Sequence, residues 1–206
     1  MVDFKDTNPD MIRKAIERSY KALGGQRPIK LWQLHCPSSK YPLESIIAPI
    51  KEAISLGLIQ YVGVSNLNIN QIEKVRRALN IVSVQNEYNP WNRGPEKNGI
   101  IAYCRQNNLT FIPWSPVGQG YLYKTTLIKF SRLREFAVKK NCSVYSLILA
   151  WIMHKSNDIV PVTWSLKLSH IEDSIKSLDI KLTVDDVETI DQALDMIMWI
   201  FKQRPM

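Results

Sequence analysis

Two apolar runs, Ile59 to Val64 and Ile81 to Val84, each end in polar side chains. Ser65 and Asn66 follow the first, and Gln85, Asn86 and Glu87 follow the second. Between them Ile69, Ile72, Val75, Arg76 and Leu79 recur at helical spacing, so Gly57 to Asn92 reads as strand, helix, strand. A crossover of this kind makes the two strands parallel and brings both polar clusters to the carboxyl-terminal edge of one sheet, where α/β folds bind ligands. The side chains of Ser65, Asn66 and Gln85 can donate and accept at once, which suits a neutral amide ligand. Serine and asparagine also cap helices and start turns, so the cluster reads two ways. Strands of a parallel sheet are expected to be apolar on both faces, one covered by helices and the other by a core.

Around this unit the chain alternates in the same manner. Asn8 caps a helix from Pro9 to Leu23, closed by Gly24 and Gly25. Ile29 to Leu34 is a strand ending in His35, Cys36 and Pro37, and Leu43 to Leu56 is a helix that Pro49 should kink or restart. A helix over Glu96 to Gln106 and a strand over Leu109 to Trp114 follow. Next come helices over Leu127 to Lys140 and Val144 to His154, the latter histidine at the end where positive charge is favoured. A last strand, Ile159 to Val162, precedes a terminal helix, Thr183 to Leu194, capped by Thr183, with the apolar tail Met196 to Phe201 packing as helix.

Size and charge limit the function classes. The 206 residues suffice for one sizeable core, so a single domain over 1–206 is expected, yet a complete eight-fold α/β barrel typically takes roughly 250. The net charge of +8 favours anionic ligands. The basic residues are scattered without aromatic interleaving, which argues against nucleic acid. Three widely spaced cysteines, Cys36, Cys104 and Cys142, fit a reducing compartment better than a disulfide framework or a metal site. With no long apolar run and no opening signal peptide, a cytoplasmic location away from membrane is expected.

Taken together, GLIQYVGVSN, then IVSVQNEYN, then FIPWSPVGQG from Phe111 to Gly120 resemble the aldo-keto reductases in order and spacing. The likeness runs from about Asn8 to Asp191. It implies a TIM-type (β/α)8 barrel, hydride transfer between a nicotinamide and an aldehyde, ketone or alcohol, and a cofactor extended over the carboxyl-terminal face, usually NADPH. His35 stands where the family has the histidine of a catalytic tetrad that holds the substrate carbonyl. By the same likeness Ser65, Asn66 and Gln85 meet the nicotinamide, and Trp114 stacks on it. The backbone of Ser115, Val117 and Gly118 contacts the pyrophosphate, with Gln119 and Gly120 completing the segment. Ser165 and Lys167 hold the adenosine 2′-phosphate, His170 stands where many NADPH-preferring members carry arginine, and Asp173 and Ser174 occupy the adenine positions. Thr163 and Trp164 replace the Pro-Gly often seen there, and the loop at Tyr121 to Thr125 is shorter than is common in the family.

The strand census separates two functions. About five parallel strands are legible where a complete barrel has eight, and the first three are the ones missing. In the family that region supplies the tetrad's aspartate, tyrosine and lysine. The chemistry needs them: the alkoxide left by hydride transfer takes a proton from a tyrosine whose pKa near ~10 must be lowered by a neighbouring lysine. Asp3 and Lys5 precede the first helix without a strand or tyrosine around them and receive none of these roles. One expectation is therefore an NADP(H)-dependent oxidoreductase, truncated and weakly active or inactive alone, self-associated or completed by another chain. The alternative is a non-catalytic remnant that serves as a dinucleotide-binding or protein-interaction module.

Overall fold

The computed structural model describes residues 8–118 and 130–203, with side chains to 198. The reading of a shortened loop at Tyr121 to Thr125 lies outside the described residues, as do Asp3, Lys5, Gln119 and Gly120. Contacts divide the chain into two compact units, one of residues 1–86 and 99–111, the other of residues 87–98 and 112–206.

The first unit is built from repeated crossovers. Its elements are α1 (Pro9–Ala22), β1 (Ile29–Leu34), α2 (Leu43–Ser55), β2 (Ile59–Ser65), α3 (Ile69–Ala78) and β3 (Ile81–Glu87). The Asn8 side chain accepts from the Met11 amide at 2.9 Å, which starts α1 as its sequence indicates. Asn68 and Gln71 close a reciprocal capping box at α3. The strands β1, β2 and β3 are parallel neighbours in that order, Leu34 facing Val64 and Ser65 facing Gln85. Pro49 sits buried in α2 without ending it.

Alternation along the strands separates two faces. Leu34, Val62, Val64 and Val84 are almost wholly buried, together with Ile16 of α1, Ile46 and Ile50 of α2, and Ile72 and Val75 of α3. The opposite face carries Leu31 and Gln33, then Tyr61, Gly63 and Ser65, then Ser83 and Gln85, adjacent in register. On it Leu31 is 39% and Tyr61 45% exposed. The expectation that these strands are apolar on both faces is thus corrected. One face is mixed, and two of its polar atoms, Gln33 Oε1 and Ser83 Oγ, are buried without a partner among the described residues.

Two further elements depart from the sequence reading. The helix expected over Glu96 to Gln106 is broken into α4 (Gly94–Lys97) and α5 (Ile100–Gln106), because Gly99 takes a left-handed φ of 83° between them. β4 (Thr110–Trp114) then ends the sheet, whose order is β1, β2, β3, β4. The expected strand from Ile159 to Val162 is not part of it, so the described sheet has four strands rather than about five. Pro161 has no N–H to give a ladder, and among the described residues the segment is held only by a bridge at Ile159, by Ile159 N–H to Ser156 O at 3.3 Å and by Val162 N–H to Pro113 O at 3.0 Å.

The second unit is mostly helical. α6 (Ser131–Lys139), α7 (Val144–His154), α8 (Leu168–Lys176) and α9 (Val184–Gln203) are its main described elements. α7 is apolar all round, with every residue from Tyr145 to Ile152 buried, as befits a helix at the centre of a unit. α9 runs unbroken through the apolar tail and lays Ile190, Leu194 and Ile197 into the core. Its start is capped as expected, the Asp186 amide donating to Thr183 Oγ1 at 3.2 Å.

A charged network lies half-buried in this unit. Arg93 Nε bonds Glu96 at 2.7 Å, and Arg93 Nη2 lies 3.1 Å from Asp191. Lys155 Nζ reaches Asp191 at 3.0 Å and Glu96 at 3.4 Å. Trp151 Nε1 donates to Asp191 at 3.1 Å, both cations lie over its ring, and Tyr88 stacks on it at 5.8 Å. Each charge in the cluster therefore has an opposite partner, which is what burial requires.

Candidate functional site

In the first unit the ends of three parallel strands are laced together by one residue. Asn66 has a left-handed φ of 60°, tolerable for asparagine. Its amide donates to Gln85 O at 2.9 Å and to Asn86 Oδ1 at 2.8 Å. Its Nδ2 donates to the carbonyl of His35 at 2.9 Å. Asn86 in turn donates to Leu67 O at 3.0 Å. The ends of β1, β2 and β3 are thereby fixed in one row, and His35, Ser65, Asn66 and Gln85 come together at their carboxyl-terminal edge.

Ser65 differs from its neighbours in being 1% exposed with a hydroxyl that has no hydrogen-bond partner among the described residues. An orphaned buried hydroxyl costs about 1–3 kcal/mol, which a carboxamide placed beside it would offset. That chemistry fits the amide ligand read from the sequence. Asn86 is the residue whose part the sequence reading missed. It stood in the polar cluster after the second run, but only the register of β2 on β3 shows that it receives the Asn66 amide.

In the second unit the residues after β4 and those before α8 line one cavity of about 600 Å³, with Ser115, Val117, Ser165, Lys167 and His170 on its walls. Trp114 stands at the end of β4, half-buried, and its carbonyl accepts from the Tyr88 amide at 3.4 Å. Ser115 has a left-handed φ of 49°. Gly118 is tied to packing, since a Cβ there would lie 2.5 Å from two carbons of the Trp91 ring. Ser165 Oγ accepts from the Lys167 amide at 3.0 Å and shapes the turn into α8. Lys167, at the cap position, gives the first amides of α8 no side-chain cap, and the Lys167 and His170 side chains lie on the same cavity.

Asp173 and Ser174 lie apart from this cavity lining. The Asp173 carboxylate accepts from Ser143 Oγ at 2.6 Å and Ser146 Oγ at 2.8 Å, which pins α8 to the start of α7. Ser174 Oγ donates to His170 O at 2.8 Å. The cluster of Ser143, Ser146 and Asp173 is not visible in the sequence, because Asp173 lies 30 residues from Ser143 and 27 from Ser146. Trp164 and Leu166 of the same loop, 79% and 87% exposed, also line the cavity, although the likeness gives them no contact with the cofactor. Among the described residues no group of His, Cys, Asp and Glu has the arrangement of a metal site.

Parallel strands joined by helices, with hydrogen-bonding side chains gathered at their carboxyl ends, define an α/β ligand-binding architecture. The model of the aldo/keto reductase family matches residues 4–195, and the chain belongs to that family. It is 28% identical to aldo-keto reductase yakc of Schizosaccharomyces pombe, whose name specifies NADP(+), over 92% of this chain and 64% of that protein. It is 30% identical to the uncharacterized oxidoreductase C215.11c of the same yeast, over 89% of this chain and 58% of that protein. The chain thus spans about three fifths of the length of these curated relatives.

Solved structures agree on the fold. A thermostable aldo-keto reductase in complex with the inhibitor epalrestat superposes with a TM-score of 0.79 at 27% identity, over 90% of this chain and 67% of that one. An aldo/keto reductase from Klebsiella pneumoniae in complex with NADP and acetate superposes with a TM-score of 0.76 at 21% identity, over 88% of this chain and 64% of that one. Among the described residues, no helix is long and apolar enough to cross a membrane.

Proposed function

We propose that this chain binds NADP(H) and that its activity, as an oxidoreductase acting between the nicotinamide and a small aldehyde, ketone or alcohol, is at most weak when it acts alone. The observation that carries the binding half is the buried, partnerless hydroxyl of Ser65 beside Gln85, at strand ends that Asn66 holds in place. Ser65, Asn66 and Gln85 would hold the carboxamide, and Trp114 would lie against the ring. Ser115, Val117 and Gly118 would take the pyrophosphate through their backbone. Ser165, Lys167 and His170 would take the phosphate of the adenosine, with Asp173 and Ser174 bracing α8 behind them. The bound cofactor would supply the hydride, while His35 orients the carbonyl. The names of the NADP(+)-specific yeast relative and the NADP complex favour this cofactor over NAD(H).

The test of binding is fluorescence. NADPH should quench the tryptophans, and Asn66→Ala with Gln85→Ala should weaken binding by roughly fivefold for each hydrogen bond of ~1 kcal/mol removed. No quenching at millimolar NADPH removes the binding proposal.

The catalytic half rests on the proton. Among the described residues no tyrosine and lysine matches the tetrad's proton-donating pair, and on this proposal the alkoxide lacks a tuned acid. Purified protein should show only trace NADPH-dependent reduction of reactive aldehydes, and a turnover in the ordinary range of ~1–10³ per second would overturn that half. Self-association or a complementing chain is the route by which full activity would arise. The second reading, a non-catalytic dinucleotide-binding or interaction module, is favoured by the sheet face on which Leu31 and Tyr61 stay exposed.

A further inference from the structure

We infer that Trp164 is the platform on which the adenine ring of the dinucleotide stacks, a role that rests on the cofactor reading above. By the family likeness the adenine positions are Asp173 and Ser174. Here the Asp173 carboxylate accepts from Ser143 and Ser146, Ser174 Oγ bonds the His170 carbonyl, and neither residue lines the cavity that follows β4. The base of a nucleotide entering that cavity therefore needs another wall.

The cavity supplies one. Its volume of about 600 Å³ falls within the ~300–1,000 Å³ range of small-molecule sites. Lys167 and His170 make part of its lining basic, which suits phosphate, while Val117, Tyr145 and Val162 make another part apolar. Trp164 belongs to the same lining and is 79% exposed, so most of its indole meets solvent rather than core. Tryptophan is highly buried on average, and an open ring on a cavity with basic groups has the chemistry that recognises a nucleotide. Its π face takes the base, and the cations take the phosphates. Stacking needs no hydrogen-bonding complement, so Trp164 can hold a base to which Asp173 and Ser174 offer nothing. Leu166, 87% exposed on the same lining, is apolar but has no ring, which makes it the comparison within the site.

The test uses the full chain and two probes, NADPH and adenosine 2′,5′-bisphosphate, the second carrying base and phosphates without a nicotinamide. The bisphosphate should quench tryptophan emission in wild type and far less in Trp164→Phe, since Trp114 is placed at the nicotinamide. By calorimetry Trp164→Ala should weaken both probes about fivefold or more, the scale of one base–aromatic stack, whereas Trp164→Phe and Leu166→Ala should stay within about twofold. Both side chains are exposed, so the substitutions spare the core, and circular dichroism checks that the variants fold. NADPH binding that is equal in wild type and Trp164→Ala would overturn the inference and leave the cofactor reading standing. A loss in Trp164→Phe or Leu166→Ala as large as in Trp164→Ala would overturn it too, because stacking would not be what is removed. Absence of NADPH binding by wild type at millimolar concentration would remove both. Tryptophan emission that follows protein concentration and ignores the bisphosphate would overturn the inference in favour of contact between copies.

Discussion

At the scale of single residues, a residue's chemistry is set by what already occupies it. The family likeness puts Gly118 against phosphate, yet its lack of a side chain is also demanded by Trp91, whose ring carbons lie where a Cβ would go. Its φ of 66° adds a second reason, because alanine is strained in that region. Gly118→Ala should therefore destabilise the unit even without cofactor, by about 1–3 kcal/mol, the usual cost of overpacking a filled site. Denaturant melts of the apo protein check this, and an unchanged midpoint would leave phosphate contact as the glycine's only reason. Cys104, buried at the end of α5, shows the same rule in another form: burial pushes its thiol up to about 12, so it is inert packing rather than a nucleophile.

Elements are held by groups that sequence spacing does not connect. Glu96 of α4 bonds Arg93 and Tyr88 and faces Lys155 of α7. Its burial alone would raise the carboxyl, but the bond from Arg93 and the charges of Lys155 and Arg93 outweigh that and hold it below its ordinary value of 4.5. The sign follows from linkage. A carboxyl whose folded pKa lies below its unfolded one adds stability above about pH 4.5, and that contribution is lost as pH falls through the folded value. Melting temperatures of wild type and Glu96→Gln should thus differ at pH 7 and converge on acidification. A gap independent of pH would mean that packing, not charge, is what the substitution removes. Arg93→Ala should be the more damaging change, costing ~2 kcal/mol, since it removes the nearest cation of Glu96 and one of the two cations on Asp191 in a half-buried site.

At the scale of the whole molecule, the notable quantity is apolar surface left in water. In the second unit Trp164, Leu166, Leu168, Ile171, Ile175 and Leu178 are all more than two fifths exposed, and α8 has no buried residue. Monomeric proteins rarely expose so continuous an apolar stretch. The protein should bind a hydrophobic dye in its native state and self-associate with rising concentration, and Trp164→Ser with Leu166→Ser should reduce both. Sedimentation with dye titration checks it, and a dye-silent monomer with a cooperative melt above ~60 °C would contradict it.

Strand order, parallel direction, the caps at Asn8 and Thr183 and the gathering of Ser65, Asn66 and Gln85 were legible in the chain, because each follows from local periodicity, turn chemistry and the handedness of crossovers. The matching of GLIQYVGVSN, IVSVQNEYN and FIPWSPVGQG to one family was likewise carried by the residues, and the family model bears it out. Other features were not local. The mixed face of the sheet depends on which side the helices take, the loss of the strand at Ile159 on what Pro161 leaves for a neighbour to bond, and the break at Gly99 on a left-handed turn. The partners of Asn66, Asp173 and Arg93 come from tens of residues away in sequence. Periodicity reports which residues are buried, while hydrogen bonds and charges are satisfied only by the particular atoms that folding brings within about 3 Å, and that choice belongs to the tertiary structure.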